Sequence, residues 1–277
     1  MNGPTEPISF DATAAAELEQ AAYAMAAEAG TAIIDTLGQK IVVSYKDQAS
    51  GDRAPTNPVS DADQAVEAML EERIRSQFPD HAFLGEETVD SFDAAAEFTW
   101  AVDPIDGTQN FVNGIPFYSS SIGVLQNGVP IAGAVWGAST HTLHPGVYHA
   151  HRGGSLRFDG EPLNTAGRAT DGRLRHIVAV PMGNQVRAAH WDYRSLGSTA
   201  LEGALVAAGV LAAACNPDPH VWDVAASAVL VPAAGREIWT RGKNGWEPLD
   251  RFDIDNLAKW RQLVLVADPS AVTELKR

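Results

Sequence analysis

The apolar positions along this chain change period several times, and each change marks an element. Residues 12–37 are Ala-rich, with Leu18, Ala22, Met25, Ala29 and Ile33 along one face, which predicts a long amphipathic helix. Residues 41–45 read as a strand. Residues 46–58, punctuated by Gly51, Pro55 and Pro58, read as a loop. Helical spacing returns over residues 64–78, where Val66, Met69, Leu70, Ile74 and Phe78 share a face. A short apolar run, 82–85, ends in glycine. Residues 98–102 (Phe-Thr-Trp-Ala-Val) carry no charge and are aromatic or β-branched in the main, which predicts a buried strand ended by Pro104.

The second half follows the same logic. Residues 118–125 and 129–136 predict paired strands around the hairpin turn Gln126-Asn127-Gly128. Residues 143–149 predict another strand, and 177–180 a further one. Residues 201–214 predict an Ala-rich helix, 224–233 a helix ending near Gly235, and 264–267 a late strand. Residues 1–10 read as a mobile leader. There is no internal repeat. Glycines concentrate over 153–160, which divides the chain into an N-terminal α+β unit, 1–155, and a C-terminal α/β unit, 156–277.

Candidate chemistry sits where these elements end. Asp103-Pro104-Ile105-Asp106-Gly107-Thr108 puts two carboxylates three residues apart at a strand end. Carboxylates held that close repel unless something neutralises them, and a hard divalent cation with oxygen ligands does so. Gly107 and Thr108 add backbone N–H groups and a hydroxyl suited to a phosphate. Asp-Pro and Asp-Gly are also ordinary turn pairs. Glu86-Glu87 follows the apolar run 82–85, so one of these acids leaves a strand end toward the same metal. Asp223, after Val221-Trp222, reads as the N-cap of a buried helix. Asp61 or Asp63 reads as the cap of the helix over 64–78.

Taken in order, Val59-Ser60-Asp61-Ala62-Asp63, Gly85-Glu86-Glu87, Asp103 to Thr108 and Trp222-Asp223 resemble the inositol monophosphatase family of Mg²⁺-dependent, lithium-sensitive phosphatases. Asn110-Phe111, Pro116-Phe117, Ser121-Ile122-Gly123 and Arg194-Ser195-Leu196-Gly197-Ser198 match as well, so the resemblance spans about residues 18–235. It implies a layered αβαβα sandwich, an α+β fold of the fructose bisphosphatase-like (sugar phosphatase) type. It implies metal ligation by Glu86, Asp103, Asp106 and Asp223 and by the Ile105 carbonyl, with Asp103 bridging two ions. Glu86, Thr108 and Asp63 match the catalytic residues that position or activate the attacking water. Ile105, Asp106, Gly107, Thr108, Asn184, Gly197, Ser198, Thr199, Asn216 and Asp223 match substrate contacts. The implied cofactor is Mg²⁺, two or three ions, with Mn²⁺ as a substitute and Li⁺ and Ca²⁺ inhibitory. The implied assembly is a homodimer. Lys46 and Asp47 fall where the family carries a metal-linked loop.

Three departures bear on substrate. The family's inositol-binding members carry Glu seven residues before the Trp-Asp carboxylate, where this chain has Asn216. The segment 183–194 is short, and the tail 243–259 does not follow the common pattern. His176, His190 and His220 could reach the pocket, although a lone histidine is more often structural. The expected reaction is hydrolysis of a small phosphorylated polyol, sugar or amino alcohol by metal-activated water. A histidinol-phosphate phosphatase, a sugar bisphosphatase, a nucleotide 3′-phosphatase and a non-catalytic metal-binding scaffold are the alternatives.

Composition narrows the partners. The formal net charge is −15 and no basic run is present, which argues against nucleic acid and anionic membranes. Cys215, the single cysteine, allows no intrachain disulfide and reads as a small core residue. No apolar run reaches membrane-spanning length, and the first residues lack a secretory pattern, so the expected location is the cytoplasm.

Overall fold

The computed structural model describes residues 10–40, 42–45, 58–88, 95–165, 177–181 and 191–276. Residues 1–9 of the leader, most of the 46–58 loop with Lys46 and Asp47, Asn184, His176 and His190 lie outside these residues, as does most of the short 183–194 segment, whereas Phe10 packs against the core. Helix α1 (Ala12–Thr36) opens the chain, capped by the Asp11 side chain on Thr13 and Ala14 N–H. Strands β1 (Val43–Tyr45) and β2 (Pro58–Ser60) form an antiparallel pair leading into α2 (Asp61–Gln77). A seven-stranded sheet follows, in chain order: β3 (Ala82–Gly85), β4 (Phe98–Asp106), β5 (Ser119–Gln126), β6 (Val129–Gly137), β7 (Gly146–His151), β8 (Arg157–Phe158) and β9 (Glu161–Pro162). Only β3 and β4 run parallel. The short α3 (Thr108–Val112) follows β4 directly.

The second sheet has six strands: β10 (Ile177–Ala179), β11 (Asp192–Arg194), β12 (Ala213–Asn216), β13 (Glu237–Gly242), β14 (Gly245–Pro248) and β15 (Leu263–Ala267). Their spatial order is β11-β10-β12-β15-β13-β14. Between them in the chain lie α4 (Thr199–Ala207), α5 (Val221–Val224) and α6 (Ser227–Ala233), and α7 (Pro269–Leu275) comes last.

Period-two alternation in the strands sorts side chains into three apolar layers. Trp100, Ile122, Val124 and Ile131 face Leu18, Met25, Ile33 and Leu70 of α1 and α2. On the other face, Ala101, Val135 and Tyr148 meet Leu201, Leu205 and Leu230 of α4 and α6. Those helices also cover Ala214, Val264 and Val266 of the second sheet. Beyond it, Val178, Cys215 and Leu265 pack under Val272 and Leu275 of α7. The result is an αβαβα stack, as expected. Close approach of the middle layer depends on Gly133, where a Cβ would lie 2.8 Å from the Ala226 Cα.

Several boundaries differ from the sequence reading. Pro104 does not end β4. The ladder pairs Asp103 with Ser121, breaks register, and resumes at Asp106 with Ser119. A bulge tolerates the missing proline N–H, so the strand carries both acids. The run 201–214 is not one helix. It divides into α4 and β12, with Gly209 at φ +75 between them. Alanine's helix propensity yields there to burial between two strands. The strand expected over 143–149 starts at Gly146, because Leu143 is 83% exposed with φ +64. The Gln126-Asn127-Gly128 hairpin forms as expected, with Asn127 and Gly128 at φ 49 and 80.

Candidate active site

The acids converge from both halves of the chain. Asp103, Asp106 and Asp223 have carboxylate oxygens all within 4.8 Å of one another. They line a cleft of about 280 Å³ with Glu86, Ile105, Gly107, Thr108, Gln109, His220, Trp222 and Arg261. That volume suits a small molecule.

Local structure holds each group in place. Glu86 continues the β3–β4 ladder through its N–H to the Val102 carbonyl, 3.1 Å. Asp103 is 2% exposed, and its Oδ1 is buried with no hydrogen-bond partner among the described residues. Asp106 is the most heavily bonded acid. Ser119 and Ser198 hydroxyls donate to its Oδ2 at 3.1 and 2.5 Å, Thr199 N–H donates to Oδ1 at 3.1 Å, and Ala200 N–H to Oδ2 at 2.8 Å. A carboxylate from the first sheet thus caps the N-terminus of α4, where the helix dipole favours negative charge.

Two capping assignments from the sequence are corrected. Asp223 is the third residue of α5, not its N-cap, and its Oδ2 accepts the His220 N–H at 2.7 Å. The helix also breaks after Val224 rather than running on from it. Ser60, not Asp61 or Asp63, caps α2. Asp63 reciprocates by accepting the Ser60 N–H at 2.9 Å. The second oxygen of Asp63 faces the Thr108 hydroxyl at 3.0 Å, and that hydroxyl also lies 2.9 Å from the Ile105 carbonyl. One proton therefore serves two acceptors.

The electrostatics follow from burial. Desolvation holds Asp103 well above the ordinary carboxylate range, and the charges of Glu86, Asp106, Asp223 and Asp63 add to it. Asp223 is raised the same way by burial, then by Asp106 and Glu86, with the His220 N–H and Arg261 opposing. Burial also raises Asp106 and Asp63 against their several hydrogen bonds. Acids forced up together, one with an oxygen lacking any donor, are what a divalent cation relieves. The donor set is all oxygen, which suits a hard divalent cation.

The remaining expected contacts lie around this core. Gly107 sits at φ +89 before α3, and a Cβ there would come 2.9 Å from the Gly197 carbonyl. Ser198 and Thr199 stand behind Asp106 rather than along the cleft. Gly197 N–H donates to Glu202 at 3.2 Å, and the Asn216 amide lies 3.4 Å from the same carboxylate. Glu202 was missed in the sequence, although a lone acid in an otherwise apolar helix signals a built role. It is buried, and desolvation followed by the Asp106 charge lifts its pKa to about 7. Gln109 and Arg261 were missed as well. Arg261 had no motif to announce it, because its place depends on where β15 enters the second sheet.

The inositol monophosphatase family model matches residues 14–262. The chain belongs to the inositol monophosphatase family. Inositol-1-monophosphatase SuhB of Mycobacterium tuberculosis is 33% identical over 246 residues, covering 80% of this chain and 83% of that protein. Inositol monophosphatase 1 of Bos taurus is 31% identical over 235 residues, 77% of this chain and 80% of the relative. Inositol monophosphatase II of Staphylococcus aureus superposes with TM-score 0.69 at 25% identity, over 94% of this chain and 95% of that one. The SuhB structure from Bartonella henselae superposes at 0.73 with 23% identity over 95% and 97%, a likeness of fold. Membership makes this inositol monophosphatase family chain a phosphatase, a phosphoric monoester hydrolase of a metal-dependent family, with a small phosphate ester as substrate. No helix among the described residues is long and apolar enough to cross a membrane.

Proposed function

We propose that the chain is a Mg²⁺-dependent phosphomonoesterase acting on a small phosphorylated polyol, sugar or amino alcohol. The observation that carries this reading is the buried, donorless Oδ1 of Asp103 amid acids whose oxygens lie within 4.8 Å of one another. Asp103, Asp106 and Asp223 would hold the ions, with Glu86 and the Ile105 carbonyl completing the set. Bound Mg²⁺ supplies a more acidic water and charge to offset the phosphoryl oxygens.

The chain's own groups do the rest. Asp63 Oδ1 accepts the Thr108 hydroxyl, which turns the Thr108 lone pairs toward water; as Thr108 takes a proton from that water it passes its own to Asp63. Ser60 fixes the other Asp63 oxygen, so the relay has one orientation. The turn at Gly107 and Thr108 brings backbone against the phosphate position, and Asp106 is locked to α4 so that the two halves close around one site. The scaffold alternative is disfavoured because a fold without chemistry gains nothing from several mutually repelling buried acids.

The test is phosphate release with and without Mg²⁺ over inositol phosphate, histidinol phosphate, fructose bisphosphate, glycerol phosphate and adenosine bisphosphate, with Asp103→Asn as the blank. Metal-dependent release lost in the variant supports the reading. Metal-independent release, or none from any ester, overturns it. Thr108→Val should lower kcat by about 10²–10³ while metal-induced stabilisation persists.

A further inference from the structure

The cleft described above holds acids at its floor and one arginine among the described residues that line it. Arg261 reaches it from the second sheet. Strand β15 pairs antiparallel with β12, with Val264 opposite Asn216, so residues just before β15 lie beside the loop that follows Asn216. The guanidinium is far enough forward to lower the pKa of Asp223 electrostatically. Its ion pair is with Asp218, Nε to Oδ1 at 3.5 Å, and the two side chains are 44% and 63% exposed. Such a pair is worth little.

This placement has a cost for the reaction assigned to the cleft. A fixed positive charge beside divalent cations repels them and weakens their binding. The charge brings a return only if the substrate uses it. In the proposed reaction the phosphate under attack would already be met by bound ions and by the turn at Gly107 and Thr108. Hydroxyls of a neutral polyol are served as well by an amide, and a cationic amino alcohol is repelled. A planar guanidinium fork matches a carboxylate or a phosphate. The stacked rings of His220 and Trp222, with centroids 4.3 Å apart, line the same cleft.

We infer that Arg261 is a specificity-determining residue that binds a second anionic group, so that the physiological substrate is a phosphate monoester carrying a carboxylate or a further phosphate. The inference rests on the proposed phosphatase reaction and narrows its substrate class.

Three esters of one skeleton test it: glycerol 2-phosphate, with hydroxyls alone; 2-phosphoglycerate, with a carboxylate; and glycerol 1,2-bisphosphate, with a second phosphate. KM and kcat are measured for the wild type, Arg261→Gln and Arg261→Lys. The wild type should favour at least one anionic ester over glycerol 2-phosphate by about tenfold in KM, and the ester preferred tells carboxylate from phosphate. Arg261→Gln should erase that preference mainly through KM, and Arg261→Lys should retain part of it. A wild type without preference overturns the inference, and so does an Arg261→Gln enzyme that keeps it. Turnover of none of the three is a failure of the reaction rather than of Arg261. Calorimetric titration of the same esters then reads the preference directly, and equal affinities in wild type and Arg261→Gln overturn the inference.

Discussion

Glu202→Gln should make the metal-free protein more stable at alkaline pH. Glu202 is 3% exposed, lies behind Asp106, and has a pKa of about 7 against 4.5 for an unperturbed glutamate. Desolvation is the main cause and the Asp106 charge the second. Because the folded pKa is raised, the folded state keeps a proton that the unfolded chain releases first. Stability therefore declines as pH climbs from 4.5 toward 7 and is level again above that window. The difference of roughly 2.5 pH units corresponds to about 3 kcal/mol at pH 8. Glutamine keeps the shape and still accepts the Gly197 N–H, but it has no charge to bury. Urea unfolding followed by tryptophan fluorescence, in EDTA at pH 5, 6, 7 and 8, is the assay. The two proteins should agree to within about 1 kcal/mol at pH 5 and diverge steadily to about 3 at pH 8, the variant the more stable. Added Mg²⁺ should narrow the gap by offsetting the Asp106 charge. Parallel curves across the range would refute the reasoning, and so would a variant less stable at pH 8.

Asp103→Asn should abolish stabilisation by Mg²⁺, which in the wild type amounts to about 2.7 kcal/mol at a hundred times Kd; a melting series over Mg²⁺ concentration reads both, and a variant that keeps the gain removes Asp103 from the ligand set. Gly133→Ala should cost about 1–3 kcal/mol in urea unfolding, since its Cβ would press on the backbone of Ala226 at 2.8 Å; a neutral result would mean that the middle layer yields. Glu19 ties α1 to β7 by accepting from His149 Nδ1 at 2.7 Å and from His151 Nδ1. Burial works to raise its pKa, but the two histidines outweigh it and hold it below 4.5. The stability Glu19 contributes is thus present above pH 4.5 and lost as pH falls through the lower folded value. Glu19→Gln should be less stable at pH 7 by about 1–3 kcal/mol, with the difference narrowing in acid; a constant difference down to pH 3 would contradict this.

The sequence by itself determined the family, through motifs whose resemblance implied the layered fold and named acids that the structure brings together. Local patterns carried the elements and the motifs. The spacing of Leu18 through Ile33 sets one helix face, the Asn127-Gly128 turn forces a hairpin, and Asp103 and Asp106 are close in sequence as well as in space. Only the tertiary structure decided the rest. Pro104 could stay in β4 because a bulge excused its missing N–H, and the bulge exists only with β5 as partner. Residues 213–216 became strand because β10 and β15 flank them, which no propensity in an alanine run encodes. Asp106 is gripped by the start of α4, more than ninety residues along the chain, and Arg261 enters the cleft through the register of β15 on β12. Contacts at that separation depend on packing between layers, and local propensity carries no record of them.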